Sequence, residues 1–135
     1  MIVVDTNVIT YLWLPCAETT LAERLVALDQ QWCAPLLWRS EFRNVLVGFA
    51  RRGLITFEGA RRTADDAELQ MRDREYAVPS EAVIRMAASS PCSAYDCEFV
   101  VLAQTLGVPL VTADRQVVKT FPSIAHSLSS YVSRP

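Results

Sequence analysis

Two short apolar runs in this chain each lead directly into an aspartate: Ile2-Val3-Val4 into Asp5, and Leu110-Val111-Thr112 into Ala113-Asp114. Unbroken β-branched and aliphatic runs, with no polar residue alternating, suit strands buried on both faces, as in a parallel sheet covered by helices. An acid just past such a strand falls at the sheet's carboxyl edge, where open α/β folds place their sites.

The chain between these runs alternates in the same manner. Residues 18 to 30 carry Leu21, Leu25, Val26 and Leu28 at helical spacing, which predicts a helix. Ala34 to Trp38 reads as a second strand. Ser40 reads as the cap of a helix with Glu41 in its first turn, an apolar stripe of Phe42, Val45, Leu46 and Phe49, and Gly53 as its stop. Residues 57 to 75 alternate in charge and predict a solvated helix. A brief strand over Tyr76 to Val78, a helix over Ser80 to Ala88 and a strongly periodic helix over 94 to 106, closed by Gly107 and Pro109, come next. Leu110 to Thr112 is then a third buried strand, Asp114 opens a short helix, and Ile124 to Leu128 reads as a final edge strand. This order predicts a three-layer α/β/α sandwich around a mostly parallel sheet, with residues 1 to 135 as a single domain.

Composition narrows the chemistry. No stretch of the 135 residues approaches the ~18 to 20 apolar residues that cross a bilayer, and the opening residues lack the pattern of a secretory leader, which predicts a soluble, cytoplasmic protein. Four cysteines form no C-x-x-C pair and there is a single histidine, His126, so a zinc set has too few ligands and reduced thiols are expected. The net charge of −2 argues against a general polyanion binder. Four acids held under cations would leave a slight basic excess elsewhere, and twelve of the thirteen basic residues are arginine, the side chain that forks best onto phosphate oxygens. Four glycines make neither a G-x-G-x-x-G nor a P-loop pattern.

The candidate site is the set Asp5, Glu41, Asp96 and Asp114. Each alone has a structural reading as a helix cap, and Ser93-Ala94-Tyr95-Asp96 matches a capping box. Taken together they share one sheet edge. Asp96 also leads a helical stripe of Phe99, Val100, Ala103 and Leu106, where a carboxylate in line with a buried face needs a cation. Clustered carboxylate oxygens without soft ligands select Mg2+ or Mn2+. Such ions activate water for phosphodiester hydrolysis without a protein nucleophile. Asp5, Asp96 and Asp114 are the expected metal ligands, Glu41 the residue placing water or metal, and Thr6, Asn7 and Thr112 the supporting polar groups.

These motifs resemble the PIN-domain family, and within it the VapC-like ribonuclease toxins of type II toxin-antitoxin pairs. The resemblance rests on Ile2-Val3-Val4-Asp5-Thr6-Asn7-Val8, Ser40-Glu41-Phe42, Tyr95-Asp96 and Val111-Thr112-Ala113-Asp114, in that order over nearly the whole chain. It implies endoribonuclease activity with Mg2+ or Mn2+, a homodimer, and inhibition by an antitoxin protein that occupies a groove. Arg115 and Gln116 stand where some relatives carry a further acid. Trp13, Trp38 and the 57 to 75 helix are candidate interface parts, with buried packing the expected role of the tryptophans.

Two other readings stay open on the residues alone. A catalytically silent PIN-like interaction module would use its acids only as caps. A phosphoaspartyl phosphatase of the haloacid dehalogenase type would use Asp5 as nucleophile, although Asn7 stands where that chemistry wants a second aspartate.

Overall fold

Packing at the sheet centre explains why three-residue strands suffice here. In the computed structural model, which describes residues 1–135, β1 (Ile2–Val4) is buried on both faces between β2 (Trp32–Pro35) and β4 (Leu110–Thr112). β3 (Glu75–Tyr76) and β5 (Ala125–Ser127) complete a five-stranded sheet of order β3-β2-β1-β4-β5, parallel throughout. The register sets Val3 against Cys33 on one side and Leu110 on the other. Chain order reverses on either side of β1, the crevice where doubly wound sheets bind their ligands.

Seven helices connect the strands and an eighth follows the last: α1 (Thr6–Trp13), α2 (Thr19–Leu28), α3 (Leu37–Arg51), α4 (Phe57–Met71), α5 (Ser80–Ala88), α6 (Ala94–Leu106), α7 (Arg115–Thr120) and α8 (Leu128–Val132). Trp32, Trp38, Phe42 and Phe99 are the largest fully buried side chains, with Ile2, Ile9, Leu25 and Met71 around them. Trp38 stacks at a tilt on Phe42, centroids 5.8 Å apart, and its Nε1 donates to Glu75 at 2.8 Å. Packing is therefore the observed role of Trp38.

Several boundaries differ from the sequence expectation. The second strand spans Trp32–Pro35 rather than Ala34 to Trp38, because pairing with β1 begins at Trp32 and pairing with β3 ends at Pro35. α3 consequently starts at Leu37, with no side-chain cap. Ser40 is not its cap, and Glu41 lies one turn inside the helix. α1 was not expected at all, since Thr6, Val8, Ile9 and Thr10 are β-branched; Asp5 nucleates it as N-cap, its side chain accepting from the Thr6 amide. α4 ends at Met71, and Asp73 at φ 67° turns the chain into β3, whose two residues replace the expected Tyr76 to Val78. α4 is also less solvated than its charge pattern suggests, with Ala67 and Met71 fully buried. The last strand stops at Ser127, whose side chain caps the unexpected α8.

Candidate active site

Asp5 follows the central strand, its amide tied to the Val111 carbonyl of β4 at 3.0 Å. The residue is only 9% exposed. The Thr6 amide donates to one carboxylate oxygen at 2.8 Å and the buried Thr112 hydroxyl to the other at 2.7 Å. Burial outweighs these donors, and with Glu41 and Asp96 nearby the carboxyl is pushed up to about 6.

Glu41 reaches the same cleft from the second turn of α3, where the Thr6 hydroxyl donates to its Oε1 at 2.7 Å. Desolvation, then the proximity of Asp96, raise its carboxyl above the ordinary range despite that hydrogen bond. Asp96, half-buried at the start of α6, forms a reciprocal capping box with Ser93, its Oδ2 accepting from the Ser93 amide. Asp114 caps α7, its Oδ1 accepting from the amides of Gln116 at 2.9 Å and Val117 at 3.2 Å, while the Thr112 hydroxyl accepts from the Asp114 amide. Asn7 accepts from the Ala113 amide at 3.2 Å, fastening α1 to the segment between β4 and α7.

The structure thus brings Asp5, Thr6, Asn7, Glu41, Asp96 and Asp114 to one cleft of about 430 Å3. Thr112 stands behind it on Asp5. Thr10, Tyr11, Asn44 and Val45 complete the lining and escaped the sequence reading. The first two follow from an α1 that was not expected, while Asn44 and Val45 lie three and four residues past Glu41, the helical neighbour positions that could have found them. Glu98, two residues past Asp96, is raised by burial and by Glu41, so it too lies near the acids.

The buried acid is Asp5, not Asp96. α6 is buried on most of its circumference, with Cys97, Val101 and Leu102 buried as well as Phe99, Val100 and Ala103, but Asp96 itself lies at its open end. Asp5 is therefore the carboxylate whose ionised form calls for a cation beside it.

No lysine, arginine or histidine lines the cleft. Glu41, Asp96 and Asp114 each spend one carboxylate oxygen on the fold and leave the other without a protein partner. The donor set is all oxygen and suits a hard cation such as Mg2+ or Mn2+. No group of three histidine, cysteine, aspartate or glutamate side chains is set closely enough to hold a metal ion by itself. Mg2+ needs none, since it keeps several waters and takes one or two carboxylates together with substrate phosphates. His126 lies on β5, half-buried beside Tyr131 and outside the cleft.

Trp13 lies elsewhere. It is half-buried, donates to Gln70 at 2.9 Å, and with Leu12, Val26 and Leu69 lines an apolar groove between α1, α2 and α4. No helix is long and apolar enough to cross a membrane.

Comparison with known proteins bears on this arrangement. The sequence model of the PIN domain matches residues 2–122. Ribonuclease VapC3 of Pyrobaculum aerophilum is 29% identical over 126 residues, covering 91% of this chain and 96% of that protein. The crystal structure of PAE2754, also from Pyrobaculum aerophilum, superposes with a TM-score of 0.76 at 21% identity, covering 97% of this chain and 92% of that one. A toxin-antitoxin complex from Klebsiella pneumoniae gives a TM-score of 0.69 at 17% identity, covering 95% of this chain and 98% of the matched one. These two structural likenesses establish the α/β fold.

Proposed function

This chain belongs to the PIN-domain family, and from that premise we propose that it is a metal-dependent endoribonuclease, cytoplasmic and homodimeric, acting as the toxin of a toxin-antitoxin pair. The observation that carries the nuclease reading is Asp5: a carboxyl buried at the end of the central strand, facing Glu41 and Asp96 across a cleft without a basic residue. The naming of the VapC3 relative as a ribonuclease supports the substrate class. The Klebsiella pneumoniae toxin-antitoxin complex, and the apolar groove beside Trp13, support an antitoxin partner.

In this reading Asp5 and Asp96 would hold Mg2+ or Mn2+, with Asp114 as a ligand or as the group orienting one. A cation bound there would neutralise phosphate charge and lower the pKa of a water for attack near neutral pH. Thr112 fixes the Asp5 carboxylate, and Thr6 aims Glu41. Glu41, with Oε2 free and its proton affinity raised by burial, is suited to accept the proton of the attacking water. Asn7 keeps Asp114 in reach by holding Ala113.

The test is hydrolysis of a labelled single-stranded RNA by purified protein, with and without Mg2+ or Mn2+. Asp5→Asn and Asp96→Asn should each abolish cleavage, and undiminished wild-type cleavage in excess EDTA would falsify the metal mechanism. The cap hydrogen bonds of Asp96 and Asp114 favour one rival, the silent interaction module. Calorimetry separates the two, because a silent module takes up no Mn2+, whereas a nuclease takes it up and loses it with Asp96→Asn.

A further inference from the structure

One face of α3 leads out of the acidic cleft. At about 100° per residue, Glu41, Asn44, Val45, Gly48 and Arg52 fall along one side of the helix, and the first three line the cleft. Gly48 offers bare backbone on that side, since a Cβ there would meet nothing within 4 Å. Arg52 then folds back over this face. Its Nε donates to the Gly48 carbonyl at 3.3 Å, and its guanidinium carbon lies 4.9 Å from the centre of the Phe49 ring.

A guanidinium held in this way has lost much of its rotamer freedom while its Nη1 and Nη2 edge meets no protein acceptor. Arg51, its neighbour on the exposed side, makes no ion pair either. Between residues 43 and 62 the chain carries five arginines and a single acid, Glu58. Only Arg61 among them is neutralised, by Glu58 and Asp65. The one strongly basic stretch of an acidic protein is thus continuous with the cleft that rejects anions unless cations fill it.

We propose that this face of α3 is the path of the RNA strand beyond the scissile bond, with Arg52, supported by Arg51, gripping its phosphates. The proposal rests on the nuclease reading. Eleven residue steps along the helix separate Glu41 from Arg52, about 16 Å of axial rise, so the arginines hold phosphates several nucleotides from the chemistry and bind substrate without touching the reacting atoms. RNA is the occupant favoured by charge complementarity and by continuity with the acidic cleft; if an acidic protein takes this face instead, RNA binding is equal in wild type and the double arginine variant.

The test uses Arg52→Gln, Arg51→Gln with Arg52→Gln, Arg52→Lys, and Arg85→Gln as a charge control on α5. Losing charge-assisted phosphate contacts should raise KM for a single-stranded RNA of about twelve nucleotides by roughly tenfold in the double variant. Its kcat should hold, and cleavage of a dinucleotide should be unchanged. The slope of log affinity against log salt should become shallower by about 1.4 for two lost contacts. Arg52→Lys should recover part of the affinity and Arg85→Gln should match wild type. An unchanged KM and salt slope in the double variant overturns the path, as does a fall in kcat with KM intact. Failure of the nuclease reading is a distinct result, in which wild type cleaves no RNA with either metal. Anisotropy of the labelled RNA then decides the path alone, and equal binding by wild type and double variant overturns it.

Discussion

Because Asp5 holds its proton up to about pH 6 in the folded chain, against 3.8 ordinarily, the metal-free fold binds that proton more tightly than the unfolded chain does. The stability it contributes is complete below about pH 4 and is lost as pH rises through 6, a difference of roughly 3 kcal/mol. Metal-free protein should therefore melt at lower temperature at pH 7.5 than at pH 5, apart from the titration of other groups. Added Mg2+ or Mn2+ should raise the melting temperature more at pH 7.5 than at pH 5. Asp5→Asn should stabilise the metal-free protein at pH 7.5 and remove the metal response, both read by thermal melts; an undiminished response in that variant would sink the assignment of Asp5. Thr112 allows a second check. Thr112→Val keeps the shape but leaves Asp5 without its hydroxyl donor and the Asp114 amide without its acceptor. A stability loss of about 1–3 kcal/mol is expected, with the acidic limb of the pH–activity profile displaced upward, since that hydrogen bond lowers the Asp5 proton affinity.

At the level of elements, two glycines should respond to alanine with opposite sign. Gly48 sits inside α3 with open space where a Cβ would go, so Gly48→Ala should stabilise by up to about 1 kcal/mol through helix propensity. Gly107 ends α6 in the left-handed region at φ 67°, and Gly107→Ala should destabilise by about 1 kcal/mol although nothing crowds it. Urea melts distinguish these outcomes. The elements most legible in the sequence were those with both period and punctuation. α6 had Ser93 before it and Gly107 after it, and α5 spans the expected residues. α1 was hidden because its Thr6, Val8, Ile9 and Thr10 carry strand propensity, which the Asp5 cap and the packing of Val8 and Ile9 into the core override. The start of α3 was missed because no capping side chain marks it.

Across the whole molecule, residues 5, 41, 96 and 114 meet because β1 and β4 are adjacent while α3 and α6 deliver their acids to the same end of the sheet. That convergence could be read from the places of Asp5 and Asp114 after apolar strands and from the order of the motifs. The burial of Asp5 rather than Asp96, and the arrival of Thr10 and Tyr11, could not, since both depend on α1 folding over the sheet edge. The cysteines bear on another global property. All four are free and three are buried, so the melting temperature should be the same with and without reductant; a shift would reveal a disulfide in solution.

In Glu41, Asp96 and Asp114, one oxygen belongs to the scaffold and its twin faces outward. Architecture and reactivity are thus divided within single functional groups. An amide at position 96 or 114 can keep its carbonyl in the capping role while forfeiting the outward negative charge, so the chain can be silenced there and remain folded. A disarmed copy of this kind would still present every other surface to whatever restrains the active one.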